Sequence, residues 1–292
     1  MAKRKKSQKL VIENENKMFK DYEYTRLLEK PKNVVDNMIE FLSLAHPRWK
    51  KKLQPASEEQ IRKLIDASKI EESGYQLPET FLDYLRKMGK DNGGLFETDY
   101  LGISDIDYLT NLYLTWWKEP DDDGSMEVPD NRFSFLANYD DEPVYHFIFQ
   151  DPTKYYVKTY WQRSEDFDKC LYQIAFQYFL YRIPLKRWIF AMFTNEENKY
   201  LKENAVEKIE ELGQKYGYQK AWFSDKWNYH GIKSGSVIQV IHETYYIWSV
   251  GYINQIIIRA MGTKVEEVNE IQKELEKMDL RINKVLRDNI CR

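Results

Sequence analysis

A chain of 292 residues, 42% hydrophobic, 15% aromatic and 31% charged, has enough material for one large core or two ordinary ones beneath a well-solvated surface,. That balance excludes a disordered chain, and the longest apolar run, Ile256-Ile257-Ile258 broken by Arg259, is too short to span a bilayer,. The formal charge of −3 conceals an asymmetry: Asp91–Asp151 carries fifteen acidic residues against Lys118 and Arg132, a local −13, so the remainder sums to +10.

The N-terminus is basic through Lys3, Arg4, Lys5, Lys6 and Lys9, but Leu10-Val11-Ile12 is far too short for a signal-peptide core,. Residues 1–30 therefore read as a basic extension and the protein as cytoplasmic. Val34, Met38, Phe41 and Leu42 fall at helical spacing over Val34–Leu44, and Pro47 ends that helix,. Ser57-Glu58-Glu59-Gln60 has the pattern of a capping box, with Ile61, Leu64 and Ile65 as the buried stripe that follows,. Leu77-Pro78-Glu79 opens another helix, with Phe81, Leu82, Leu85 and Met88 inward and Gly89 as its C-terminal cap,. Asn92-Gly93-Gly94 predicts a turn with both glycines at positive φ,. A short strand at 100–103 leads into a helix capped by Ser104, on which Ile106, Leu109, Tyr113 and Trp116 are helically spaced,. Trp116 and Trp117, being adjacent, cannot both face inward from one helix.

Asp121-Asp122-Asp123-Gly124 is a loop without the alternating ligands of a calcium-binding loop,. Phe133–Leu136, Val144–Phe149 and Tyr155–Trp161 are aromatic and β-branched runs divided by turn residues, and predict an antiparallel three-stranded meander,. Ser164 is expected to cap a closing helix carrying Phe167, Leu171, Ile174, Ala175 and Tyr178, with Cys170 as a packing residue,. Pro184 marks a boundary. Beyond it the pattern predicts a helix from Glu196 to Tyr216 with Leu201, Ala205, Ile209 and Leu212 inward, stopped by Gly217,. Strands follow at 218–223, 236–243, 244–250 and 252–260, and then a long terminal helix. Its residues Val268, Ile271, Leu275, Met278, Ile282 and Val285 repeat at 3 and 4, a seam suited to the home sheet or to a homodimer,.

Familiar catalytic patterns fail when tested. Cys170 and Cys291 form no metal-spaced pair, and His46, His146, His230 and His242 are scattered,. Gly231–Ser236 lacks the Gly-Lys-Ser/Thr ending of a phosphate loop and reads as a hairpin turn,. No cofactor or metal is expected, and no catalytic residue is nominated.

The order of a capped helix at Ser57-Glu58-Glu59-Gln60-Ile61, the segment Leu77-Pro78-Glu79-Thr80-Phe81-Leu82-Asp83-Tyr84-Leu85, the Asn92-Gly93-Gly94 turn, an aromatic meander and a closing helix at Phe167–Leu171 resembles the SUKH superfamily. That superfamily includes a fungal cell-wall assembly regulator and many bacterial immunity proteins. The likeness covers about Pro31–Arg182, and its most specific piece is Leu-Pro-x-x-Phe followed by Gly-Gly. Asp140-Asp141-Glu142 stands where a Gly-rich turn is often found, and the C-terminal part lies outside the resemblance. The resemblance implies an α+β fold, a twisted antiparallel sheet flanked by helices over residues 31–183; beyond it, the pattern of elements itself predicts a smaller C-terminal α+β domain of unknown type over 184–292. The resemblance also implies action by binding. The leading expectation is an immunity protein that occludes a cognate bacterial toxin with a basic surface, such as a nuclease. A non-enzymatic scaffold and an undetected enzyme are the alternatives. The local charge nominates Asp121, Asp122, Asp123, Asp140, Asp141 and Glu142 as partner contacts, with Trp116 or Trp117 as anchor; neither nucleic acid nor membrane is expected as a partner,.

Overall fold

The computed structural model describes residues 25–96, 102–118, 127–138, 140–159, 163–180, 187–193, 204–247, 251–262, 265–278 and 280–285. It is an α+β protein with two antiparallel sheets. The chain divides into two compact units, Lys32–Tyr178 and a second that joins the segment ending at Pro31 to the chain from Phe179 onward.

In the first unit, α1 (Val34–Ala45) buries Val34, Met38, Phe41 and Leu42, and α2 (Glu58–Ser68) buries Ile61, Leu64 and Ile65. The capping box forms in full: Gln60 N donates to Ser57 Oγ at 3.2 Å, and Ser57 N donates to Gln60 Oε1 at 3.0 Å,. Pro78 occupies the N-cap of α3 (Glu79–Met88), one position before the predicted place. Gly89 does follow the helix, but at φ −69 rather than in the left-handed region, so its need for a bare backbone is steric. An added Cβ would sit 2.7 Å from Leu85 O and 3.0 Å from Ala56 Cβ. The predicted turn holds, with Gly93 at φ 68 and Gly94 at φ 80, and Asn92 Oδ1 accepts from Gly94 N and Leu95 N.

The next helix, α4 (Ile106–Thr115), is capped by Asp105, whose Oδ1 accepts from Tyr108 N at 2.9 Å. Ser104, the predicted cap, instead accepts from Asn92 Nδ2 at 2.6 Å. Of the strand expected at 100–103, Ile103 makes an isolated bridge to Ala137, while residues 100 and 101 lie outside the described residues.

The meander comprises β1 (Arg132–Ala137), β2 (Pro143–Phe149) and β3 (Tyr155–Lys158), and a two-residue β4 (Arg163–Ser164) extends it in the order β1-β2-β3-β4. Ser164 thus belongs to a strand. The closing helix α5 (Phe167–Leu180) is capped by Asp166, whose Oδ1 accepts from Lys169 N at 2.8 Å. Strand alternation sends Phe133, Phe135 and Phe147 to one face,. There the Phe81 ring lies 5.1–5.7 Å from the rings of Phe133, Phe135, Phe147 and Phe167. Cys170 is buried in the same helix.

The second unit contains β5 (Arg187–Phe193), α6 (Ala205–Lys215), β6 (Gln219–Lys220), β7 (Asn228–Lys233), β8 (Ser236–Ile247), β9 (Gly251–Gly262), α7 (Val265–Glu276) and β10 (Leu280–Val285). Its sheet runs β10-β5-β9-β8-β7-β6, antiparallel at every pair. Ile209 and Leu212 of α6 and Val268, Ile271 and Leu275 of α7 pack on Tyr229, Val240, Ile258 and Ala260.

Three expectations change here. The two strands predicted over 236–250 are one twelve-residue strand. The helix predicted from Glu196 begins at Ala205, with Leu201 outside the described residues. The terminal helix ends at Glu276, and Ile282 and Val285 lie instead on β10, opposite Ala191 and Trp188 of β5. A 3-4 spacing carried by so few residues does not separate helix from strand once β5 offers an edge to pair with. The predicted dimer seam is therefore cut short. Within the expected extension of residues 1–30, Thr25–Leu28 forms a helical turn, and the carbonyl of buried Leu27 accepts from Trp222 N at 3.0 Å.

Among the described residues, no helix is long and apolar enough to cross a membrane.

Candidate protein-binding surface

The α4 helix is fixed by its inward stripe. Ile106, Leu109, Leu112 and Tyr113 are all buried, which leaves Leu114 and Trp116 at the end of the helix pointing away from the core,. These two are 63% and 53% exposed, and large apolar side chains so open to water are unusual among the described residues, whose other large apolar groups are mostly buried,. Of the tryptophan pair, Trp117 turns inward and is fully buried, with its ring 5.0 Å from that of Tyr113. Trp117 is thus withdrawn as an anchor, and Trp116 alone can serve.

Trp117 also ties the neighbouring acidic loop to this helix. Its Nε1 donates to Asp141 O at 2.8 Å, and Tyr108 of α4 donates its hydroxyl to the Asp141 carboxylate. That bond, with burial adding to it, raises the Tyr108 phenol above its usual range. Asp141 has φ 64, a left-handed conformation that an aspartate tolerates better than most residues,. Asn138 organises the rest of the loop: its Oδ1 accepts from Asp140 N and Glu142 N at 3.0 and 2.9 Å, and its Nδ2 donates to the Glu142 carboxylate at 2.7 Å. The predicted contacts therefore separate into kinds. Asp141 is committed to holding the loop, while Asp140 and Glu142 are exposed.

Asp121, Asp122 and Asp123 lie outside the described residues. The residues that flank them are joined: Val128 N donates to Trp117 O at 2.8 Å, and Lys118 Nζ reaches Val128 O and Asp130, each at 3.1 Å.

This arrangement offers an exposed aromatic step, an aliphatic neighbour and a preformed carboxylate loop. Such a combination suits the centre and rim of a protein contact. Leu114 is the contact residue that sequence reasoning missed. It sits one position out of register with the inward stripe, and that offset was the signal. Among the described residues, no group of three or more His, Cys, Asp or Glu side chains is placed to hold a metal ion. Comparison of the chain with protein-family models, with curated proteins and with solved structures finds no match in any of the three.

Proposed function

We propose that the Lys32–Tyr178 unit is a SUKH-like immunity module, which neutralises a cognate protein toxin with a basic surface by binding it through the Trp116 edge. The observation that carries this reading is the exposure of Leu114 and Trp116 beside the fixed loop of Asp140 and Glu142. An exposed aromatic next to ordered carboxylates provides a desolvated anchor together with a field that steers a cationic partner.

The test is co-expression with the product of the adjacent gene. Growth rescue and a stable one-to-one complex support the reading, whereas an adjacent product that is harmless or does not co-purify overturns it. Within such a complex Trp116→Ala is expected to weaken binding about thirtyfold or more, the loss typical of a central aromatic anchor. Reversing Asp140 and Glu142 to lysine is expected to slow association and flatten its salt dependence. If association rates stay unchanged, the acidic loop has no part in recognition.

A further inference from the structure

Strand alternation assigns the opposite face of the meander a chemistry unlike that of the acidic loop. Register places His146 on β2 opposite Ser134 of β1 and Lys158 of β3, and Lys158 opposite Arg163 of β4. One step along, Arg132, Ile148 and Tyr156 form the adjacent row. Since residues two apart share a face, Arg132, His146, Lys158 and Arg163 all project to the side away from the phenylalanine core. Arg132 and Lys158 thus flank one imidazole, with Arg163 one strand further on.

Two of these groups have unmet hydrogen-bonding capacity. Arg132 Nε and His146 Nδ1 are both closed off from water with no hydrogen-bond partner. Buried polar atoms without partners are rare enough to require a cause, and an ion that completes the site is one of the few available. The electrostatics agree: burial, then the charges of Arg132 and Lys158, hold the His146 imidazole down at about 3. Burial, then Arg132 and Arg163, lower the Lys158 ammonium. Like charges gathered in this way repel one another until an anion lies between them.

We propose that Arg132, His146 and Lys158, with Arg163 at the margin, form a binding site for the phosphoryl group of a small phosphorylated ligand. The Arg132 guanidinium meets one phosphoryl oxygen and the Lys158 ammonium meets another. A tetrahedral dianion can reach cations projecting from β1 and β3, whose axes are about 10 Å apart across the intervening strand; a carboxylate occupies a single guanidinium fork. The half-buried Ile148 and Tyr156 beside this row offer a surface for the group the phosphate carries, and the Arg163 guanidinium already lies 6.0 Å from the Tyr156 ring centre. A long nucleic acid is disfavoured, because the −13 charge of Asp91–Asp151 repels a polyanion that extends beyond this row,. The site shares no residue with the Trp116 edge and stands or falls apart from it.

The experiment is calorimetric titration of the full chain with inorganic phosphate, pyrophosphate and adenosine monophosphate, with acetate at matched ionic strength as control. Saturable binding of the phosphoryl compounds and none of acetate is expected. Arg132→Gln and Lys158→Gln should each weaken that binding about tenfold, the loss expected for one charge-assisted hydrogen bond. Lys158 is exposed, so its variant should keep the wild-type thermal unfolding midpoint and serves if Arg132→Gln misfolds. Absence of saturable binding by the wild type, equal binding of acetate, or unchanged affinity in a folded variant overturns the proposal. So does affinity that climbs steadily with the length of a single-stranded oligonucleotide.

Discussion

The two units reach the same α+β class by different means. In Lys32–Tyr178 the strands are short, from two to seven residues, and order comes from side chains: the Phe81 ring interlocks with four other phenylalanines, three from β1 and β2 and one from α5. In the second unit β8 and β9 pair over twelve residues each, and the core is mainly aliphatic, built from Val240, Ile256, Ile258, Val268, Ile271 and Leu275. The sheet face away from that core carries a polar row, His230, Gln239 and Arg259, in register across β7, β8 and β9 and buried throughout. His230 Nδ1 and Gln239 Nε2 lie 2.8 Å apart. One unit depends on shape complementarity among its rings, whereas the other depends on a long backbone ladder and tolerates a buried polar row within it.

The strongest way to break this contrast is to remove the aromatic hub. Phe81→Ala leaves a cavity among rings that cannot collapse together, and is expected to destabilise its unit by about 3–5 kcal/mol. Amide hydrogen exchange would show that loss as reduced protection over residues 32–178. An equal loss along β8 and β9 would mean that the two cores do not behave separately.

Acid sharpens the comparison, because each unit holds one histidine at about 3. His230 is held there by burial and then by the charge of Arg259. His146 is held there by burial and then by Arg132 and Lys158. The folded-state value lies below the unfolded value of 6.5, so above pH 6.5 both states are neutral and no stability is lost. Between 6.5 and about 3 the unfolded chain binds a proton that the folded chain refuses, and stability falls as the pH falls. The slope is about 1.4 kcal/mol per pH unit for His230, or about 2 kcal/mol by pH 5. His146, only partly buried as a residue, should contribute less. Denaturant titrations at pH 7 and pH 5 measure the difference, and His230→Gln should reduce it; an undiminished pH dependence in that variant would assign the acid sensitivity elsewhere.

How much of this was legible in the sequence follows from the same contrast. Where order comes from local chemistry, the residues announced it: the Ser57–Gln60 box and the Gly93-Gly94 turn lie where turn chemistry puts them, and the α4 stripe holds at Ile106, Leu109 and Tyr113, though its last predicted member, Trp116, turns out to water. Where order comes from distant pairing, the sequence was mute. Leu280–Val285 becomes a strand because β5 offers it an edge nearly ninety residues earlier in the chain, and no local pattern encodes that,. The candidate interface was half legible. Linear counting found Asp140 and Glu142, but only the fold separates the exposed Trp116 from the buried Trp117. Counting also hid the basic row, since Arg132 falls within the most acidic window and joins Lys158 and Arg163 only after the strands pair.

The smallest predicted effect tests the claim about polar groups most directly, through two buried tyrosines. Tyr113 accepts from Ser134 N at 2.5 Å and donates to Ser134 O at 3.1 Å, beside the bulge in β1 that follows Ser134. Tyr229 is equally buried, yet its hydroxyl has no partner, and it fills the space that a side chain at Gly213 or Gly231 would need. Burial drives both phenols above their ordinary range. Tyr113→Phe strands a buried backbone N–H and should cost about 1–3 kcal/mol, while Tyr229→Phe removes an unsatisfied hydroxyl and should be neutral or stabilise by up to about 1 kcal/mol. Chemical denaturation midpoints of the two variants give the comparison. Equal losses would mean that the Tyr229 hydroxyl, like that of Tyr113, finds a partner in solution.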